Sequence, residues 1–246
     1  MSGHSNWASI KLKKSVTDSR RGQLWTKILK EVGVAARIGG GDPAGNIRLR
    51  SAIQEAKAKN VPNDTVDRAI KRGTGELEGV SYEEITYEGY GPGGVAILVE
   101  TVTDNKNRTA SEVRHLFSKH GGNLGASGSV GWMFEKRGYI AIEKSSMTEE
   151  EFMDLALEVE AEDISTEAEI YEIYTSPETF LAALEKIEAG EVPTASSELV
   201  MIAQNYVDLE PEIYSKVLRL IEAFEENEDV QSVWSNFNFD ENLLGE

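Results

Sequence analysis

Hydrophobic positions in the first quarter of the chain recur with the period of a helix. Apolar side chains from Leu24 to Ile38 repeat every three or four residues, which predicts an amphipathic helix. A break at residues 60–63 offers Asn63 or Asp64 as the cap of a later helix. Two more helices are predicted by apolar positions at Ile47, Ala52, Ile53 and Ala56, and at Val66, Ala69 and Ile70. The first quarter is therefore predicted to be all-α.

After this first quarter the pattern changes to that of strands. Residues 82–90 and 94–102 are rich in aromatic and β-branched side chains and flank a glycine-rich turn, which predicts a β-hairpin. Thr109 or Ser111 is predicted to open the helix that follows. Residues 130–135 are predicted to form a separate short strand.

Residues 138–207 predict the order strand, helix, strand, strand, helix, strand, which is a ferredoxin-like order. A clear helix and a strand at residues 230–239 then follow, which is one unit too many for that block. We expect this last pair to return and complete the sheet begun by the hairpin. The predicted fold class is α+β multidomain, with an all-α N-terminal domain (1–78), a discontinuous α+β domain (79–135 and 208–246) and an acidic ferredoxin-like α+β domain inserted into it (136–207).

Charge is distributed very unevenly along the chain. Residues 1–75 contain 15 Lys and Arg against 6 Asp and Glu, a net charge of +9. The whole chain carries −18, so residues 76–246 carry −27. A basic segment on an acidic chain indicates a polyanionic partner. Because Lys and Arg that neutralise phosphates bind without reading bases, this segment predicts contact with nucleic acid.

The candidate nucleic-acid contacts of the basic segment are mainly cations, with Trp7 able to stack on a base. Nothing in the segment matches a base-reading helix-turn-helix closely. The alternative is a solvated helical surface with Trp7 in the core. The predicted contacts here are His4, Trp7, Lys11, Lys13, Lys14, Arg20, Arg21, Lys27, Arg48, Arg50, Arg68, Lys71 and Arg72.

Residues 103–109 lie between a predicted strand and a predicted helix, a position where loops often carry function. Lys106 and Arg108, near the helix N-terminus, are further candidate phosphate contacts. The alternative is a turn with a helix cap. Glu100 and Asp104 admit a second hypothesis, a Mg²⁺-dependent hydrolase. General acid–base chemistry needs a converging pocket that the sequence does not indicate, so an enzyme is not predicted.

Composition and spacing exclude several other kinds of site. The chain has no cysteine, which excludes disulfides and thiolate metal sites and fits a reducing cytoplasm. No apolar run approaches about 18 residues, and the start is not a secretory signal. The glycine clusters match neither the G-x-x-x-x-G-K-S/T nor the G-x-G-x-x-G spacing of phosphate-binding loops. His115 and His120 fall on different helix faces, which argues against a histidine metal site. We therefore expect a cytoplasmic protein without membrane, metal, cofactor or small-molecule substrate.

The segment from Ser145 to Glu185 is acidic throughout. It contains 13 Asp and Glu and neither Lys nor Arg. The simpler interpretation is a solvated acidic face. The alternative is a docking surface for a basic protein, such as a ribosomal protein.

Motifs spread over the whole chain are similar to those of a known family. They are Gly3-His4-Ser5-x-Trp7, Ile10-Lys11, Asp18-x-x-Arg21-Gly22, Val34-Ala35-Ala36-Arg37, Gly40-Gly41-Asp42-Pro43, Asn46-x-Arg48-Leu49-Arg50, Arg68-Ala69-Ile70-Lys71, Tyr87-Glu88-Gly89-Tyr90-Gly91-Pro92, Thr103-Asp104-Asn105-x-Asn107-Arg108-Thr109 and Gly128-Ser129-Val130. With these motifs the chain closely resembles the YebC/PmpR family, which includes the mitochondrial translational activator of cytochrome oxidase subunit one.

The resemblance implies an all-α N-terminal domain, two α+β domains, nucleic-acid binding and no catalysis. Members of the family are described as DNA-binding transcriptional regulators, and others as ribosome-associated factors that help translation. By this resemblance we expect a regulator of gene expression that binds DNA. The alternative is a ribosome-associated translational activator that contacts ribosomal RNA or tRNA. The weak base-reading signal favours backbone and shape recognition, which suits RNA.

Overall fold

The computed structural model describes residues 21–166 and 170–238, apart from the side chains of Arg21 and Ile47. The architecture is α+β, with a helical N-terminal region and two four-stranded antiparallel sheets. Tertiary contacts divide the described chain into two compact units, residues 21–132 with 207–238 and residues 133–206. The domain boundaries expected from the sequence stay a prediction.

The described elements alternate between helices and strands after the helical region. The helices are α1 (Arg21–Gly39), α2 (Ile47–Ala58), α3 (Asn63–Gly73), α4 (Lys106–Lys119), α5 (Glu149–Glu158), α6 (Phe180–Ala189) and α7 (Pro211–Glu225). The strands are β1 (Glu83–Tyr90), β2 (Ala96–Thr103), β3 (Asn123–Leu124), β4 (Phe134–Glu143), β5 (Asp163–Ser165), β6 (Ile170–Thr175), β7 (Thr194–Ala203) and β8 (Val230–Ser235).

Helices α1, α2 and α3 enclose one small apolar core, as their periodicity predicts. Asn46 fixes the corner between the first two helices. Its side-chain oxygen accepts the Leu49 N–H at 3.1 Å and caps α2, while its amide donates to the carbonyls of Ala35 and Gly40, each at 2.7 Å. The buried core residues are Ile28, Val32, Ala35, Ala36, Leu49, Ala52, Ala56, Val61, Val66 and Ala69.

The predicted cap of α3 is wrong. Pro62 occupies the N-cap position and makes no side-chain cap, and the helix begins at Asn63 itself. Proline is tolerated here because the first N–H groups of a helix have no intrahelical acceptor. The C-terminal end of α3 lies so close to α1 that a side chain at Gly73 would meet Gly33 and Ala36.

The first sheet has the strand order β3-β1-β2-β8. The hairpin of β1 and β2 is confirmed, and β8 pairs with β2 in antiparallel register. Helices α4 and α7 pack on this sheet, where the rings of Phe117 and Phe224 meet edge to face with centroids 4.8 Å apart. This sheet and the helical region belong to the same compact unit.

Helix α4 begins earlier than its sequence suggests. Asn105 is the cap, because its side chain accepts the Arg108 N–H at 3.1 Å. Thr109 instead lies inside the helix with 0% exposure, and its hydroxyl donates to the Asp229 carboxylate at 2.7 Å. The prediction that Thr109 or Ser111 opens the helix is therefore wrong, since the hydroxyl of Thr109 serves a distant partner.

The second unit contains the sheet of order β5-β6-β4-β7, with α5 and α6 packed on one of its faces. The predicted break near Gly138 is wrong, because β4 runs without interruption from Phe134 to Glu143. A side chain at Gly138 would collide with Thr175 and Phe180. The glycine therefore permits close packing of α6 on the sheet and does not end the strand.

The opposite face of this sheet buries a carboxyl group. Glu172 on β6 has 0% exposure and accepts a hydrogen bond from the Tyr139 hydroxyl at 3.1 Å. Burial raises the pKa of Glu172, and the nearby hydroxyls oppose that rise only in part. Burial also raises the pKa of Tyr139, so this tyrosine stays a donor throughout the neutral range.

Glu172→Gln is expected to remove a pH-dependent loss of stability. Because the folded-state pKa of Glu172 lies above that of the unfolded chain, ionisation opposes folding as pH rises above about 4.5. The melting temperature of the native protein should therefore fall, relative to the variant, between pH 5 and pH 8. A Glu143→Gln control removes a carboxylate at an exposed position and measures the general effect of net charge. Parallel curves for Glu172→Gln would contradict the buried-acid assignment.

Gly73→Ala is expected to destabilise the helical region by about 1–3 kcal/mol, because the added methyl group overpacks the contact between α1 and α3. Gly22→Ala is a matched control, since nothing lies within 4 Å of a side chain added there. Chemical unfolding followed by circular dichroism measures both. If the two variants are equally stable, the contact between α1 and α3 accommodates the added methyl group without loss of stability.

Candidate nucleic-acid interface

Helix α3 presents three exposed cations along one face. Lys71 and Arg72 come three and four residues after Arg68, so both adjoin Arg68 on the helix surface. The opposite face buries Val66 and Ala69 in the helical core. The ion pair of Arg68 with the exposed Asp64 is long, at 3.6 Å, and such exposed pairs are weak. The geometry of α3 therefore suits contact with phosphates.

Part of the predicted interface lies outside the described residues. This holds for the side chain of Arg21 and for His4, Trp7, Lys11, Lys13, Lys14 and Arg20. Their role in binding nucleic acid stays a prediction.

Two lysines of α1 point to the end of α7 and not to solvent. The Lys27 ammonium donates to the Glu225 carbonyl at 2.6 Å, and Lys30 donates to the Glu228 carbonyl at 2.9 Å. The carbonyl end of a helix carries partial negative charge, so it attracts such cations. Burial lowers the pKa of Lys27 to about 8, although Glu225 opposes that change. Lys27 therefore links α1 to the end of α7.

The centre of this contact is the buried carboxylate of Asp229, which has 2% exposure. It accepts hydrogen bonds at 2.7 Å each from Lys30, Arg108 and Thr109. Burial alone would raise the pKa of Asp229, but the bonds from Arg108 and Lys30 lower it to about 2. Asp229 therefore joins α1, α4 and the chain that enters β8.

Arg48 is likewise held by carboxylates. Its guanidinium binds both oxygens of Glu31 on α1 and also contacts Glu84 on β1. Burial would lower the pKa of Arg48, yet the bonds to Glu31 and Glu84 raise it overall. Arg50 donates to the Pro43 carbonyl at 3.3 Å. In this geometry both arginines support the corners of the helical region.

The two candidate cations of the loop after β2 also differ, since one is exposed and the other is paired with carboxylates. Lys106 is exposed in the first turn of α4. Arg108 binds Asp104 at 2.9 Å in addition to Asp229. Of the carboxylates considered for a metal-dependent hydrolase, Asp104 is thus paired with an arginine, and Glu100 accepts the indole N–H of Trp234 at 2.8 Å. The described residues contain no group of three His, Cys, Asp or Glu suited to a metal ion.

A glycine-rich loop wraps around an internal anion that sequence reasoning missed. The N–H groups of Gly128, Val130 and Gly131 donate to the Glu88 carboxylate at 2.7, 2.8 and 2.6 Å. Burial would raise the pKa of Glu88, but these three bonds lower it. The motifs containing Glu88 and Gly128 stood out in the sequence, yet nothing in the local pattern links them. Lys30 and Asp229 were missed for the same reason.

Comparison with known proteins identifies the family of this chain. A family model described as the TACO1/YebC protein N-terminal domain matches residues 5–76, and one described as the TACO1/YebC second and third domain matches residues 82–237. The chain belongs to the TACO1/YebC family. Among the described residues of this TACO1/YebC chain, no helix is long and apolar enough to cross a membrane.

Relatives of this TACO1/YebC chain match over nearly their full length. A probable transcriptional regulatory protein of Natranaerobius thermophilus is 53% identical over 247 residues, covering 99% of each chain. One of Desulfosudis oleivorans is 49% identical over 243 residues, again covering 99% of each. The crystal structure of a conserved hypothetical protein from Aquifex aeolicus superposes with a TM-score of 0.86 at 46% identity, covering 95% of this chain and 97% of that one.

Asp229→Asn is expected to destabilise this TACO1/YebC chain by about 3 kcal/mol at pH 7, because it leaves Lys30 without its counter-charge in a buried site. The folded-state pKa of about 2 lies below the ordinary value, so the carboxylate stabilises fully above about pH 4. The difference between the native protein and the variant should therefore shrink as pH falls from 4 to 2.

Asp104→Asn is the matched control, because Asp104 also binds Arg108 but is exposed. It should cost under about 1 kcal/mol. Thermal unfolding of the three proteins across this pH range measures the effect. Equal losses in both variants would show that burial of Asp229 adds nothing.

Proposed function

We propose that this protein is a non-enzymatic regulator of gene expression that binds nucleic acid through its helical region. The observation that carries the proposal is the exposed row of Arg68, Lys71 and Arg72 on α3, within a segment of net charge +9. Lys106 would add a further phosphate contact from the first turn of α4. The predicted cations of residues 1–20 are proposed as further phosphate contacts. The site for nucleic acid uses charge and needs neither a metal nor a cofactor.

DNA is the first target to test, since the relatives from Natranaerobius and Desulfosudis are named probable transcriptional regulatory proteins. A cytoplasmic, ribosome-associated translation factor that contacts RNA is the second candidate. It is favoured by the exposed face of α3, whose three cations suit phosphate contacts, and by the weak base-reading signal of the basic segment. Such contacts would grip either nucleic acid and leave the choice to shape.

We also infer that residues 136–207 form a ferredoxin-like domain inserted into a discontinuous one. The order β5-β6-β4-β7 with both helices on one face supports this interpretation. The pairing of β8 with β2 supports the return of the chain to the first sheet. In this arrangement the inserted domain would carry 17 Asp and Glu against 4 Lys and Arg, away from the phosphate contacts in sequence.

A triple variant, Arg68→Ala with Lys71→Ala and Arg72→Ala, is expected to weaken binding to duplex DNA and to structured RNA. Loss of three phosphate contacts should reduce the slope of log Kd against log salt by about 2–3. Fluorescence anisotropy at several salt concentrations, on both nucleic acids, measures the slope and shows which of the two is bound more tightly.

Three exposed cations outside the interface provide a control with the same change in net charge, namely Arg114→Ala with Lys119→Ala and Lys216→Ala. This control should keep the native slope. A third protein, with Lys11, Lys13 and Lys14 changed to Ala, tests predicted phosphate contacts that lie outside the described residues. If all three proteins bind both nucleic acids as tightly as the native chain does, the proposed interface is wrong.

A further inference from the structure

Helix α5 carries an apolar pair that its own unit leaves uncovered. Leu157 is 78% exposed and Met153 is 44% exposed. The two side chains are four residues apart, so they adjoin on the helix surface. Phe152 and Ala156 form the buried side of α5, about 100° around the helix from this pair. A single exposed leucine is ordinary, but an adjacent pair on one face forms a small apolar patch.

Carboxylates surround this patch. Glu149 and Glu150 lie one turn before Met153, and Asp154 and Glu158 follow on the flank, all of them exposed. The surrounding stretch from 145 to 185 has neither Lys nor Arg. We call Met153, Leu157 and these four carboxylates the α5 face. It combines an apolar centre with a rim of one charge sign, which is the anatomy of a protein interface.

The two lysines that border the acidic stretch donate to backbone oxygens. Lys144 donates to the Thr166 carbonyl at 2.6 Å, and Lys186 donates to the Glu158 carbonyl at 2.7 Å. Both bonds end on backbone oxygens. The Lys186 ammonium thus lies at the C-terminal end of α5, so the α5 face carries four carboxylates against this one cation.

The α5 face is also preorganised. Thr148 and Glu151 form a reciprocal capping box at the start of the helix, with Thr148 N–H donating to the Glu151 carboxylate at 2.8 Å. Beneath the helix, Phe152 stacks on Tyr171 with ring centroids 4.4 Å apart. A partner would therefore meet a helix whose backbone is already ordered, which lowers the entropic cost of binding.

We propose that the α5 face docks a Lys- and Arg-rich segment of another protein, whose apolar side chains cover Met153 and Leu157. Charge decides the class of partner. Nucleic acids and anionic lipid surfaces are repelled by the carboxylate rim, and so is the same face of a second copy. A basic amphipathic segment satisfies both parts of the face, with cations on the rim and apolar groups at the centre. This binding is independent of the proposed nucleic-acid site.

Two synthetic peptides test the proposal on the full-length protein. One is an amphipathic helix of Lys and Leu, and the other has the same charge with Ser in place of Leu. The Lys/Leu peptide should bind more tightly. Met153→Ser with Leu157→Ser should weaken the Lys/Leu peptide about tenfold and leave the Lys/Ser peptide unchanged, since only the apolar contact is lost. Glu150→Gln with Asp154→Asn should weaken both peptides.

The matched control is Leu77→Ser with Val80→Ser, which removes two exposed apolar side chains outside the acidic stretch. Equal affinity of the Lys/Leu peptide for the native protein and the Met153/Leu157 variant would overturn the proposal. Equal weakening by the control variant would overturn it too, because binding would then be unspecific. The Met153/Leu157 variant should bind nucleic acid as the native chain does, which separates this proposal from the function above.

A photo-crosslinking residue at position 157, introduced in cells, identifies which molecule occupies the α5 face. A crosslink to a Lys- and Arg-rich stretch of another protein, lost when Glu150 and Asp154 are neutralised, supports the proposal. A crosslink to residues 1–20 of the same chain, to a second copy or to nucleic acid would overturn it.

Discussion

The compact unit that contains the helical region depends on one buried carboxylate. Asp229 is stable there only because Lys30 and Arg108 neutralise it, and those cations lie far away in sequence, on α1 and α4. Burying the charge without both partners would cost several kcal/mol. The ion cluster therefore fixes α1 against the sheet, and α3 follows because it packs on α1 through Gly73 and Gly33. The direction in which α3 presents its cations is a consequence of this cluster.

The cations of the basic segment divide into two functional classes that net charge does not distinguish. Lys27 and Arg48 bind carbonyls and carboxylates of the same unit. Arg68, Lys71 and Arg72 lie exposed on a single face. A structural cation has its charge already satisfied, whereas an exposed one releases counterions when it meets a phosphate. The second class alone is therefore suited to grip a polyanion.

The chain combines surfaces of opposite charge, a basic face on α3 and an acidic face on α5. Exposed charges are screened over about 10 Å at 0.1 M salt, so each surface acts chiefly on a partner that touches it. The carboxylates of the acidic face repel nucleic acid and attract basic protein segments. The two proposed sites use different helices, α3 for nucleic acid and α5 for a basic protein segment.

Local patterns determined most of the elements and the family. The helical period of α1, the strand character of the β1–β2 hairpin and the motifs around Arg68 and Glu88 are visible in the sequence, because they depend on neighbours within a few residues. Pattern reading misplaced the start of α4 and broke β4 at Gly138, since Thr109 and Gly138 serve packing partners elsewhere in the fold. The tertiary structure alone decided which cations are exposed and which are paired with Asp229, Glu31 and Glu84. The reason is that an ion cluster forms between residues separated by up to about two hundred positions, and no local period records such a distance.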